Sequence, residues 1–225
     1  MQEELRRSAE RVRSQLRRAS HDPARFRAAL TSVPPDERDA WVDLVFELDA
    51  LPEDGPELPR GGVPYVPCSV DALLRVVDRA LVRPTDVFVD LGSGLGRAAA
   101  LVHLLIGAGA IGIEIQPELV AAAGRLAARL RVPRVSFIEG DAAELARRMT
   151  IGTVFFLYCP FGGERLATVL AHLESIARTR EVRVCCVDLP LPHCPWLVPL
   201  EPEGASDVAI YRSTLLDADV ASRIR

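Results

Sequence analysis

The chain has 225 residues, 49% of them apolar, and a formal net charge of −4. That is enough apolar material for one sizeable α/β domain with an extension, and it excludes wholesale disorder. The mild acidity argues against nucleic acid and anionic membrane as partners, and no apolar run approaches the ~20 residues of a membrane span.

All 27 basic residues are arginine, which excludes any lysine-based chemistry in the chain itself. The segment Met1 to Arg7 lacks the apolar stretch of a signal peptide. Five cysteines (Cys68, Cys159, Cys185, Cys186, Cys194) form no CxxC pair and show no zinc-ligand spacing. These features predict a cytoplasmic protein without a metal.

Residues 1–50 read as helical. Leu5, Val12 and Leu16 share one face of a first helix. Its arginines (Arg6, Arg7, Arg11, Arg13, Arg17, Arg18) read as a solvated face, with a basic docking patch as the alternative. Asp22-Pro23 starts a second helix with proline at its first position, and Pro34-Pro35-Asp36-Glu37 starts a third carrying Trp41, Leu44, Val45 and Leu48. Leu51-Pro52-Glu53-Asp54-Gly55-Pro56 and Arg60-Gly61-Gly62 then break regularity, as a linker or a cofactor-edge loop. The break divides an N-terminal helical extension, 1–60, from a domain over 61–225.

An amphipathic helix is predicted from Asp71 to Leu81. Strands and helices then alternate: strands near 86–91, 109–115, 135–138, 152–158 and 182–188, with helices near 96–106, 117–130, 142–149 and 163–177 between them. Runs this apolar imply a mostly parallel, doubly wound sheet of Rossmann-like type, covered on both faces. Trp196–Leu200 and Val208–Arg212 read as a closing antiparallel hairpin, which makes seven strands in all.

The most informative stretch joins the first strand to its helix: Asp90-Leu91-Gly92-Ser93-Gly94-Leu95-Gly96. A turn of this kind lets a ligand lie against bare backbone. Position 97, where a dinucleotide fingerprint has its third glycine, is arginine, and a phosphate-binding loop would need the absent lysine. An acidic residue two positions before G-x-G-x-G resembles the first motif of class I S-adenosylmethionine (SAM)-dependent methyltransferases. Glu114 ends the second strand 22 residues after Gly92, where an acidic group accepts hydrogen bonds from ribose hydroxyls in nucleotide-binding α/β folds. Asp141 follows the third strand and resembles the family's partner for the adenine amino group. The resemblance implies SAM as cofactor, held by Tyr65, Asp90, Gly92, Ser93, Gly94, Gly96, Glu114, Asp141 and Tyr158.

The fourth strand ends Tyr158-Cys159-Pro160-Phe161. It resembles the fourth methyltransferase motif, Asn/Asp-Pro-Pro-aromatic, whose polar residue orients the methyl acceptor. Cys159 stands at that polar position and is a weak hydrogen-bond partner, so Cys159, Pro160 and Phe161 are candidates for the acceptor pocket. Upstream, Gly62-Val63-Pro64-Tyr65-Val66-Pro67 is similar to a Pro-Tyr-Val-Pro segment of small protein-lysine methyltransferases. The resemblance implies a methyl acceptor that is a protein lysine or a small molecule. His193, on the loop after the fifth strand, is the candidate general base. Two other functions fit less of the sequence: a SAM-binding module without catalysis, and a nicotinamide-dependent oxidoreductase.

Overall fold

The apolar runs assemble into a single sheet. The computed structural model describes residues 2–18, 21–48, 65–159, 161–201 and 207–214. Its strands are β1 Val87–Leu91, β2 Gly109–Glu114, β3 Val135–Glu139, β4 Val154–Tyr158, β5 Arg183–Val187, β6 Leu197–Pro199 and β7 Val208–Ser213. They lie in the order β3-β2-β1-β4-β5-β7-β6. The first five pair in parallel, and β7 runs antiparallel between β5 and β6. The Rossmann-like doubly wound sheet and its antiparallel end are as the sequence predicts. The order reverses at β1 and β4, and open α/β sheets bind ligands beyond the carboxyl ends of the strands at such a point.

Eight α-helices are described: α1 Gln2–Arg18, α2 Pro23–Thr31, α3 Arg38–Phe46, α4 Val70–Arg79, α5 Arg97–Ile106, α6 Pro117–Leu130, α7 Ala142–Leu145 and α8 Gly163–Ala177. Local chemistry sets their starts. The Asp22 carboxylate accepts from the amides of Ala24 and Arg25 at 3.0 and 3.2 Å ahead of Pro23. Ser69 caps α4 by accepting from Ala72 N at 3.2 Å.

Two hydrophobic layers flank the sheet. One carries α7 and α8 against Val89, Phe155, Leu157 and Val184, and holds Trp196. The other carries α4, α5 and α6 against Phe88 and Phe156, and the N-terminal helices contribute to this same layer through Leu16, Phe26, Leu30, Trp41 and Phe46. The Trp41 indole N–H donates to Ser8 Oγ at 3.2 Å, which ties α3 to α1. Among the α1 arginines, Arg13 and Arg17 pair with Glu47, each at 3.0 Å, and Arg7 pairs with Glu3.

Cys185 and Cys186 are buried in β5, and all five cysteines are free thiols. Among the described residues no helix is long and apolar enough to cross a membrane. The predicted break over 51–60, together with Gly62 to Pro64 and Pro160, lies outside the described residues.

Candidate functional site

The glycine turn is built by hydrogen bonds that cross from β1 to β2. The amides of Gly92 and Ser93 both donate to Ile113 O at 2.9 Å, and Gly96 N donates to Ser93 O at 2.8 Å. Gly94 has φ 52° and Gly96 has φ 74°, in the left-handed region. Space also requires glycine at both. A Cβ on Gly94 would stand 2.1 Å from Cδ2 of Tyr65, and one on Gly96 would stand 2.2 Å from Cζ of Phe137. The Tyr65 ring therefore lies directly on the turn.

Glu114 locks the turn from below. Its Oε2 accepts from Gly94 N at 2.8 Å and its Oε1 accepts from Gln116 N at 2.9 Å. Each oxygen keeps a second lone pair for a further donor. Asp90 is 3% exposed. Burial, and after it the nearby Glu114, raises its carboxyl to about 7. Ser93 Oγ is buried with no hydrogen-bond partner. Buried polar groups are nearly always paired, so an unpaired hydroxyl with a buried carboxyl near it fits a polar ligand at this place.

Asp141 is the N-cap of α7, accepting from Ala143 N at 2.8 Å, and it pairs with Arg165 at 2.6 Å. Tyr158 ends β4, and burial raises its phenol. Cys159 follows with φ 41°, and its thiol donates to Asp188 O at 2.6 Å. Phe161 is buried, with the Arg165 guanidinium 5.7 Å from its ring centre. The structure thus gathers Asp90, Ser93, Gly94, Glu114 and Tyr65 at the turn, and sets Tyr158 and Cys159 on the adjoining strand end.

His193 stands apart. It lines a hollow of about 290 Å³ with Leu191, Cys194, Leu197 and Tyr211. This hollow is at the β6–β7 end of the sheet, and β6 is four strand spacings, about 19 Å, from β1.

Three residues that sequence reading passed over hold the site together. Arg97, 3% exposed, pairs with Asp43 at 2.8 Å and Asp39 at 2.9 Å and donates to Cys68 O at 2.6 Å. It bolts α3 and the Tyr65–Cys68 segment onto the turn. Arg165 fixes Asp141. Asp188 follows β5, and its carbonyl accepts from Cys159. The one local signal was Arg97 itself, visible as a departure from the dinucleotide fingerprint and readable there only as an exclusion.

Comparison with known proteins bears on the same segment. The family model "Histone methylation protein DOT1" matches residues 64–134, less than half of the chain. An RNA methyltransferase from Salinibacter ruber, solved with S-adenosyl-L-homocysteine, is 29% identical, with a TM-score of 0.52 over 68% of this chain and 95% of that one. A putative methyltransferase, yhhF, from Escherichia coli is 18% identical, with a TM-score of 0.53 over 70% of this chain and 90% of that one. A methyltransferase from Geobacter sulfurreducens is 18% identical, with a TM-score of 0.52 over 67% and 81% respectively. These last two show the fold alone. Among curated proteins there is no match.

Proposed function

We propose that this SAM-dependent methyltransferase places its methyl group on a side-chain amine of a protein. The observation that carries this is the extent of the DOT1 match, residues 64–134. In the structure that stretch starts beside Tyr65, passes through α4 and the glycine turn, and continues beyond Glu114. The Pro-Tyr-Val-Pro segment, similar to that of small protein-lysine methyltransferases, opens it and supplies the tyrosine lying on Gly94.

The residues present suit the cofactor. Gly94 and Gly96 let the Tyr65 and Phe137 rings close on the turn, and Ser93 Oγ, unpaired among the described residues, and the buried Asp90 carboxyl offer polar groups to the ligand. Glu114 is assigned to the ribose hydroxyls through its remaining lone pairs, Asp141 to the adenine amino group, and Tyr65 and Tyr158 to the walls. When bound, SAM supplies an electrophilic methyl group on a sulfonium. The chain has then to align the acceptor and keep water out, and positioning of this kind supplies much of the rate in a bimolecular transfer. Cys159 and Phe161 line the acceptor side in this reading, and His193 takes no part. Five free thiols also suit a reducing compartment, and we place the protein in the cytoplasm.

A second reading, an RNA base as acceptor, is favoured by the relative from Salinibacter ruber. Incubating the protein with deuterated-methyl SAM and a cell extract separates the two, with mass spectrometry of the protein, RNA and small-molecule fractions. Label on lysine in the protein fraction is expected. Label confined to RNA or to metabolites would replace the amine reading, and SAM binding without any labelled product would show a module that binds but does not transfer.

A further inference from the structure

The ends of β4 and β5 carry a feature that cofactor binding does not use. Tyr158 and Val187 are partners in the parallel register, so Cys159 and Asp188 are the next residues on each strand. Both turn into the left-handed region, with φ 41° and 50°. Such a conformation is costly for a non-glycine residue, and strain of this sort gathers at functional sites. The two turns are tied by the Cys159 thiol, which donates to the Asp188 carbonyl at 2.6 Å.

The Asp188 carboxylate is exposed and has no ion pair or hydrogen bond among the described residues. Its amide is held by Asp207 O at 2.9 Å, while the Asp207 carboxylate is taken by Arg75 at 2.6 Å. Asp188 nevertheless lies close enough to push up the thiols of Cys68 and Cys159 and the phenol of Tyr158, after burial. Asp188 follows β5, whose neighbour β4 lies beside β1, so it stands at the same carboxyl ends of the sheet as Cys159 and the glycine turn. Arg97, which acts on Cys68, is taken up by Asp39, Asp43 and the Cys68 carbonyl, and Arg75 by Asp207. The site therefore offers an unpaired negative charge and no free positive one among the described residues.

We propose that Asp188 is the specificity-determining residue that draws a cationic amine of the acceptor to the methyl-transfer position. This rests on the methyltransferase reading. The ammonium gives its proton to solvent at the mouth of the site. The free amine then forms the new N–C bond as the C–S bond breaks, and that electron pair stays on sulfur. A phosphate or carboxylate acceptor is repelled by the same charge. Cys159, a poor hydrogen-bonding replacement for an amide or carboxylate at its position, is relieved of selecting the acceptor and serves to hold Asp188 in place.

The test uses calorimetry on the full chain with S-adenosylhomocysteine and two adenosyl analogues. Each analogue has nitrogen in place of sulfur, one bearing a 3-aminopropyl arm and the other a butyl arm. The wild type is expected to bind the aminopropyl compound about tenfold tighter than the butyl compound. Asp188→Asn, which keeps the tolerance for a left-handed backbone, is expected to erase that preference and leave S-adenosylhomocysteine affinity within about twofold. Asp188→Glu is expected to retain the preference. Equal binding of the two arms by the wild type, or a preference that survives in Asp188→Asn, overturns the inference. Failure of S-adenosylhomocysteine itself to bind the wild type overturns the underlying cofactor reading, and the inference with it.

Discussion

Gly94 is the residue at which one added carbon matters most. Its φ of 52° strains any other residue by about 1–3 kcal/mol. A branched side chain would also drive into the Tyr65 ring, whose Cδ2 lies 2.1 Å from where the Cβ must go. Gly94→Val is expected to abolish measurable SAM binding in calorimetry; unchanged affinity would show that the cradle is elsewhere. Asp90 makes a different kind of prediction. Its carboxyl, raised from 3.8 to about 7, holds a proton more tightly in the folded chain than in the unfolded one. Its contribution to stability is therefore full below about pH 4 and is lost as pH rises through 7. A cationic ligand favours the ionised form. SAM affinity is expected to rise from pH 6 to 8 with release of a proton, read from calorimetry in two buffers of different ionisation enthalpy. A pH-independent affinity would remove Asp90 as the counter-charge. Asp90, Ser93 and Glu114 are legible in the sequence because they fall within one strand–turn–helix–strand unit. Arg97 and Asp188 are not. Arg97 meets its carboxylates 54 and 58 residues away, and the environment of Asp188 comes from three separate segments, so no short-range pattern encodes either.

The elements themselves were largely readable, since buried parallel strands are near-continuous apolar runs. Their edges were not. The predicted fourth strand starts at 152, yet β4 begins at Val154, because Gly152 N still closes a turn by donating to Met149 O at 2.9 Å. The helix predicted over 142–149 is α-helical only to Leu145 and tightens to a 3-10 turn over Ala146–Arg148. The docking of α3 against α5 depends on the Arg97 cluster, and its energetics are asymmetric. Arg97 is buried, whereas the side chains of Asp39 and Asp43 are 50% and 43% exposed. Arg97→Met leaves two carboxylates that water can solvate. Asp39→Asn with Asp43→Asn leaves a buried guanidinium without its counter-charges, and breaking a buried pair in that way costs about 3–5 kcal/mol. The double variant is expected to unfold at lower urea than Arg97→Met; the reverse order would mean that Arg97 acts by its packing and not its charge.

At the scale of the molecule, the N-terminal helices are structural partners of the sheet. The sequence break near residue 60 divides an N-terminal extension from the domain that follows, and Phe26, Leu30, Trp41 and Phe46 of the extension lie in one hydrophobic layer with Leu73, Leu101 and Phe156. A buried side chain of this size contributes about 1.5–3 kcal/mol, and four of them, on the order of 10 kcal/mol, match the entire stability of an ordinary domain. A chain beginning at residue 61 is expected to be insoluble or to lack a cooperative thermal transition. A soluble fragment with a sharp transition that still binds SAM would show the helices to be an independent module. The sharing was illegible because amphipathic periodicity reveals that a helix has an apolar side and not what that side covers.

Trp41 and Trp196, the chain's two tryptophans, are sealed on opposite sides of the sheet. Each half of the interior thereby carries its own intrinsic fluorophore, and replacing either indole leaves an optical trace of the other half alone.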